Sequence, residues 1–106
     1  MVKRLLRSDE IDLISWMVRD TKESKYIIPS LLTLLVEEMK DGGMGSLRVV
    51  SEKNKVYFKD LARVELLDKD GVALWISIHL DTNYDFFELD IWKVDYSPLI
   101  RFPSVP

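Results

Sequence analysis

The chain has 106 residues, of which 47% are hydrophobic and 31% charged, and this balance predicts a single globular domain over residues 1–106. A formal net charge of −3 argues against nucleic-acid binding, because phosphate backbones are bound chiefly by clustered lysines and arginines. The chain has no cysteine, which excludes disulfides and thiolate metal sites, and no apolar run long enough to cross a bilayer, so we expect a cytoplasmic protein that does not bind membranes.

The N-terminal part predicts a basic segment, a helix and a loop. The basic residues within positions 3–7 are interpreted as a solvated N-terminus. Ser8 is a candidate N-cap, and apolar residues follow it at helical spacing. We therefore predict a first helix over residues 9–20 and a polar loop over residues 21–25.

The segment over residues 31–39 is ambiguous between helix and strand. Pro29 marks a break before it, and its leucines fit a helix capped by Ser30, whereas its short apolar run ahead of a glycine cluster also fits a strand. We favour a short helix through Leu34 followed by a strand over residues 35–40. Three glycines within residues 41–46 then predict positive φ angles at a turn, and the next residues, 47–51, predict the return strand of a hairpin.

The second half of the chain predicts three strands, over residues 61–67, 72–81 and 86–94. The connections between them are too short for crossover helices, so the strands must form an antiparallel meander. The fold class that follows is α+β. An N-terminal helix and a short second helical turn pack on an antiparallel sheet of about four to five strands that ends in this meander.

Two turns predict the registers of the meander. Asp68-Lys69-Asp70-Gly71 suits a type I turn followed by a left-handed glycine, and the turn over residues 82–85 sets the second register. Both registers bring apolar residues opposite one another, as a half-buried sheet requires. The predicted pairs are Leu66 with Leu74, Val64 with Ile76, Ala62 with Ile78, Leu80 with Phe87, Ile78 with Leu89, and Ile76 with Ile91.

The other face of the meander is the main candidate for function. The same registers place Trp75 opposite Trp92, Ser77 opposite Asp90, and His79 opposite Glu88, with Arg63 and Glu65 on the neighbouring strand. Exposed tryptophans are enriched in binding hot spots, so the candidate binding residues are Trp75, His79, Glu88, Asp90 and Trp92. In the alternative, which the usual burial of tryptophan favours, a loop or the C-terminal tail covers both indoles.

Catalytic and metal-binding interpretations depend on His79, the only histidine. With Glu88 or Asp90 as its orienting acid, His79 could act as a base, although a cross-strand salt link is the simpler interpretation. No residues have the spacing of a metal motif, and we expect no metal, no cofactor and no catalytic residue.

The glycine turn and the tail each have two interpretations. Backbone N–H groups at Gly42, Gly43 and Gly45 could cradle an anion, but the turn lacks the lysine and hydroxyl of a phosphate loop, and a tight hairpin explains it better. An acidic edge at Glu37, Glu38 and Asp41 could steer a basic partner, although such runs are usually solvated surface. The tail over residues 96–106 contains three prolines and several apolar residues, so we expect it to strap across the domain; a partner-binding tail is the alternative.

Two motifs carry a family resemblance. They are DGGMGSL at residues 41–47, and FELDIWKVD at residues 87–95 followed by SPLI at residues 97–100. Through them the chain resembles a family of small uncharacterised bacterial proteins over residues 35–103. The resemblance implies a bacterial source and a single domain, and it supplies no catalytic residues.

The function predicted from these observations is a small protein-binding module. Bacterial immunity proteins, which neutralise toxins, are a fold-level analogy for it. The alternative is a small ligand-binding domain or an enzyme that uses His79 with Glu88 or Asp90. The expected partner is another protein, and an exposed sheet edge leaves both a monomer and a homodimer open.

Overall fold

A computed structural model describes residues 2–51 and 55–106 and confirms the α+β fold. Its elements are β1 (Arg4–Leu5), α1 (Ser8–Val18), α2 (Ser24–Ser30), β2 (Leu35–Glu38), β3 (Leu47–Val49), β4 (Tyr57–Leu67), β5 (Ala73–Asp81) and β6 (Phe86–Lys93). Within these residues the six strands form one antiparallel sheet in the order β1-β2-β3-β6-β5-β4, one strand more than the upper end of the prediction. No helix in this described part is both long enough and apolar enough to cross a membrane.

The additional strand is β1, which lies in the basic segment predicted to be solvated. Arg4 pairs with Val36 of β2, and its guanidinium donates to both carboxylate oxygens of Glu10 at 2.8 and 2.9 Å. Glu10 also accepts the N–H of Arg7 at 2.7 Å, which satisfies a donor at the start of α1. The segment is therefore ordered by a buried carboxylate. Ser8 is the first residue of α1, so Arg7 and not the predicted Ser8 is the N-cap, and the helix ends at Val18, two residues before the predicted end.

The second helix lies earlier in the chain than predicted. The expected loop over residues 21–25 runs into α2, and Ser30 ends this helix instead of capping one. Ile27 donates its N–H to the carbonyl of Glu23 at 2.9 Å, but Pro29 has no N–H with which to continue this pattern, so the helix ends within two residues. The predicted strand after it is confirmed as β2.

The meander β4-β5-β6 is confirmed, including the opposition of Trp75 and Trp92. One predicted pair is wrong, since Leu80 lies opposite Phe86 rather than Phe87. A register shift after His79 inserts one extra residue in β6, as a β-bulge does. The alternation of apolar and polar residues does not reveal this shift. Strand β4 also begins four residues before the predicted Leu61 and pairs irregularly there.

The hydrophobic core lies between one face of the sheet and the two helices. Leu13 and Ile14 of α1 and Ile27 of α2 are buried in one cluster with residues of β5 and β6 such as Ile76 and Ile91. Because side chains alternate between the faces of a strand, residues at the neighbouring positions point to the opposite face. That opposite face, here called the open face, carries the candidate binding residues.

The C-terminal tail straps across the domain, as predicted. Leu99 donates its N–H to the carbonyl of Gly43 at 3.0 Å, and the N–H groups of Ile100 and Arg101 donate to the carboxylate of Asp68. These bonds tie the tail to the glycine turn and to the β4-β5 turn. The tail therefore runs along the ends of the strands.

Candidate functional site

Exposed aromatic side chains lie at one end of the open face. Trp75 is 53% exposed and Trp92 43% exposed, so the alternative in which a loop or the tail covers both indoles is wrong. Tyr96, 69% exposed, meets the Trp92 ring edge-on with the ring centroids 4.7 Å apart. Trp75, Trp92 and Tyr96 are called the aromatic patch below. A surface of this kind presents a large apolar area to solvent.

A row of charged side chains crosses the strands at the other end of the open face. Glu88 accepts a hydrogen bond from Arg48 Nε at 2.7 Å through one oxygen, and its other oxygen lies 3.0 Å from His79 Nδ1. His79 Nε2 lies 3.3 Å from a carboxylate oxygen of Asp60, which in turn pairs with Arg63. These residues are called the polar row. The structure thus brings His79 and Glu88 together as the register predicts.

The polar row favours the salt-link interpretation of His79 over the catalytic one. Each ring nitrogen faces a carboxylate, and Ser77 Oγ also lies 3.3 Å from Nε2. Both oxygens of Glu88 already have partners within the row. A general base needs a nitrogen within reach of a substrate proton, and neither nitrogen is free of protein partners here. A catalytic role for His79 stays a prediction.

Asp90 lies between the polar row and the aromatic patch and has no cationic partner among the described residues. Its nearest polar partner is Ser46, whose Oγ lies 3.4 Å from Oδ1. Burial raises the pKa of the Asp90 carboxyl, more than the charge of His79 and the Ser46 hydroxyl lower it. Asp90 therefore differs from Glu88 and Asp60, whose charges are compensated.

A shallow depression of about 250 Å³ opens beside Asp90. The side chains that line it come from three adjacent strands and include both tryptophans of the aromatic patch. The lining residues are Arg63, Trp75, Ser77, Asp90 and Trp92, together with Ile76, whose side chain lies in the core on the other face. The candidate binding residues thus fall into two groups, of which only Trp75, Asp90 and Trp92 share a concave surface.

The glycine turn is built around its own carboxylate. Asp41 accepts the N–H of Met44 and the N–H of Ser46, each at 3.0 Å, and all three glycines of the turn have positive φ, as predicted. The turn thus has its own internal carboxylate acceptor for the N–H groups that flank Gly45. Binding of an external anion at Gly42, Gly43 and Gly45 stays a prediction.

A buried ion pair at the β4-β5 turn is the feature that sequence reasoning missed. Lys93 Nζ lies 2.8 Å from both Asp68 and Asp70, and the side chains of Lys93 and Asp68 are fully buried. From the sequence, the two aspartates are interpreted as turn residues only. Lys93 occupies the same phase of β6 as the buried Leu89 and Ile91, so a lysine on the apolar face was the available signal.

No group of three or more His, Cys, Asp or Glu side chains within residues 2–51 and 55–106 is arranged to hold a metal ion.

Comparison with known proteins yields one family. The model of the family described as "Domain of unknown function (DUF6984)" matches residues 3–103, a range that includes both motifs of the predicted resemblance. No curated protein and no solved structure matched the chain.

Proposed function

Since the chain belongs to this family of unknown function, we propose its role from the site itself: it is a protein-binding module that uses the aromatic patch. The observation that carries the proposal is the exposure of Trp75 and Trp92 side by side on two paired strands. The proposal places the protein in the cytoplasm, and a chain without cysteine is compatible with this reducing compartment because it needs no disulfide. An immunity protein that neutralises a toxin would be one member of this class.

The size and stiffness of the aromatic side chains support this proposal. Each indole buries a large apolar area on binding, and tryptophan is among the residues that dominate binding hot spots. Trp75 and Trp92 are held on the central strands β5 and β6, so a partner would lose little free energy in ordering them. Exposed tryptophans on a sheet face are otherwise a liability for solubility.

The polar row supports the proposal through its internal pairing. Arg48, Glu88, His79 and Asp60 hold one another at hydrogen-bond distances, which leaves an internally paired polar border beside the aromatic patch. A hydrophobic centre with a satisfied polar rim is the usual anatomy of a protein-protein interface.

Capture of a partner from a bacterial lysate tests the proposal. The wild-type chain is compared with a Trp75→Ala/Trp92→Ala double variant and with Leu32→Ala, which removes a side chain that is 68% exposed on the turn after α2. Circular dichroism and urea unfolding first establish that all three proteins fold. The captured protein is then purified, and its affinity for each variant is measured by calorimetry.

We expect a stoichiometric partner that binds the wild type and Leu32→Ala equally and loses at least about 2 kcal/mol of binding free energy with the double variant. Equal binding of the double variant would remove the aromatic patch as the interface. The absence of any partner for the wild type would count against a protein-binding function as a whole.

A further inference from the structure

We propose that the depression between Trp75 and Trp92 receives an arginine side chain of the protein partner, with Asp90 as its counter-ion. This inference rests on the proposed protein-binding function and names the chemistry that the partner must present. It goes beyond that function because it assigns Asp90 as the residue that binds a guanidinium group of the partner.

Strand geometry places the required groups around one point. Trp75 lies directly opposite Trp92, and Ser77 lies directly opposite Asp90 in the next pair of the same register on this face. Side chains two residues apart on a strand share a face, so the two indoles, the hydroxyl and the carboxylate all border the same depression. Aromatic surfaces beside a carboxylate are a suitable receptor for a planar cation.

The charge of Asp90 identifies the sign of the occupant. Glu88 pairs with Arg48 and Asp60 with Arg63, but among the described residues the only side-chain partner of Asp90 is the Ser46 hydroxyl at 3.4 Å. Burial disfavours its charged form more than the charge of His79 and the Ser46 hydroxyl favour it, and the neighbouring Glu88 and Asp41 disfavour it further. A cation arriving from a partner would supply the compensation that this carboxylate lacks in the free protein.

Arg63 of the chain itself does not fill this role, although its side chain borders the depression. Its Nε donates to Asp60 at 2.6 Å, and a second guanidinium nitrogen also contacts the same carboxylate oxygen. Its side chain is 74% exposed, so it lies at the rim of the depression. The guanidinium of Arg63 is thus engaged outside the depression, and Asp90 stays available.

A guanidinium fits this site better than an ammonium or an anion. Its plane stacks on an indole face, and its fork of N–H donors matches a carboxylate in a bidentate arrangement. A lysine ammonium is a strongly hydrated point charge and loses more on entering a half-apolar site. An anion would meet the uncompensated charge of Asp90.

The test uses N-acetyl-arginine methylamide as the probe and N-acetyl-citrulline methylamide as its uncharged, nearly isosteric control. Binding is followed by NMR through the indole N–H signals of Trp75 and Trp92, with Trp16 on α1 as an internal reference. Each probe is titrated into the wild type and into Asp90→Asn, which keeps the shape of the side chain and removes its charge. Trp75→Leu, at a half-exposed position, is a second variant that keeps the test decisive if Asp90→Asn does not fold.

We expect the arginine probe to shift both indole signals and leave Trp16 unchanged, with binding weakened about tenfold in Asp90→Asn through the loss of a charge-assisted bond. Trp75→Leu should weaken binding as well, and the citrulline probe should bind at least about tenfold more weakly to the wild type. Equal binding of the citrulline probe, equal binding of the matching lysine probe, or unchanged affinity in Asp90→Asn would overturn the assignment.

The outcome is separable from that of the lysate capture. A partner that depends on both tryptophans, together with a silent arginine probe, overturns the arginine assignment and leaves the protein-binding function standing. Binding of the arginine probe without any captured protein supports the depression as a guanidinium site and counts against the protein-binding function.

Discussion

Replacement of Asp68 by asparagine tests the buried ion pair that ties the tail to the sheet. The Asp68 carboxylate accepts hydrogen bonds from Lys93 Nζ at 2.8 Å, from the N–H of Ile100 at 2.8 Å, and from the N–H of Arg101 at 3.2 Å. The variant Asp68→Asn keeps the shape of the side chain but removes the charge and turns an amide N–H₂ toward these donors. Lys93, whose side chain has no exposed surface, then keeps only the partly exposed Asp70 as a counter-ion.

The expected loss follows from this geometry. Removal of one member of a buried ion pair typically costs about 3–5 kcal/mol, and because Asp70 still contacts Lys93 we expect about 3 kcal/mol of unfolding free energy. For a domain of this size such a loss lowers Tm by roughly 15 °C. Urea unfolding followed by circular dichroism measures it. The control Asp20→Asn removes the same charge from a side chain that is 89% exposed and should change stability by less than about 0.5 kcal/mol.

The pH dependence of stability gives an independent readout for Asp68. Burial alone would raise its pKa, but the hydrogen bonds from the Ile100 N–H and from Lys93 outweigh burial and lower the pKa from 3.8 to about 2. A folded-state pKa below the unfolded one stabilises the protein above about pH 4, and this contribution is lost as the pH falls through about 2. It amounts to at most about 2 kcal/mol and should be absent from the acid unfolding of Asp68→Asn.

A double variant completes the test. Lys93→Met fills the same space without a charge, so Asp68→Asn/Lys93→Met should be more stable than Asp68→Asn alone, since no uncompensated ammonium is left buried. A loss below about 1 kcal/mol for Asp68→Asn, or a double variant less stable than that single variant, would refute the reasoning.

Two further changes probe the turns. Gly45→Ala should lose about 1 kcal/mol more unfolding free energy in urea than Gly42→Ala. Both glycines have positive φ, but only at Gly45 would the added methyl lie 3.2 Å from Leu99 Cδ2. Equal losses would contradict this. Asp81→Asn should cost about 3 kcal/mol in the same assay, because the buried Asp81 carboxylate accepts a 2.6 Å hydrogen bond from Lys55. Burial alone would raise the pKa of Asp81, but the hydrogen bond from Lys55 lowers it below its ordinary value. The wild type should therefore lose more unfolding free energy than Asp81→Asn as the pH falls below about 4. Equal losses in the two proteins would contradict this.

Local patterns were sufficient to predict the meander. Turn residues such as Asp68 and Gly71 set the hairpin lengths, and strict alternation then fixed which side chains share a face, so Trp75 and Trp92 were correctly predicted to be opposite one another. The glycine turn was predictable for a similar reason, since glycine adopts positive φ without the steric cost that other residues meet there. The bulge that puts Phe86 opposite Leu80 was not predictable, because either aromatic residue satisfies the alternation.

Helix α2 and strand β1 were not predictable, because local sequence patterns do not determine them. Their short segments have weak local preferences, and their structure depends on partners far along the chain or in space, such as the burial of Ile27 in the core and the pairing of Arg4 with Val36. A seven-residue helix that contains Pro29 gains most of its stability from tertiary packing.

The sequence by itself determined the two faces of the sheet and the identity of the residues on each, because alternation and turn chemistry act over a few neighbouring residues. Only the tertiary structure decided that the tail passes along the strand ends and leaves Trp75 and Trp92 exposed, that Lys93 is buried against Asp68, and that Asp90 lacks a cation among the described residues. The exposure of a side chain and the pairing of its charge depend on neighbours from distant parts of the chain, so a local sequence pattern does not determine them.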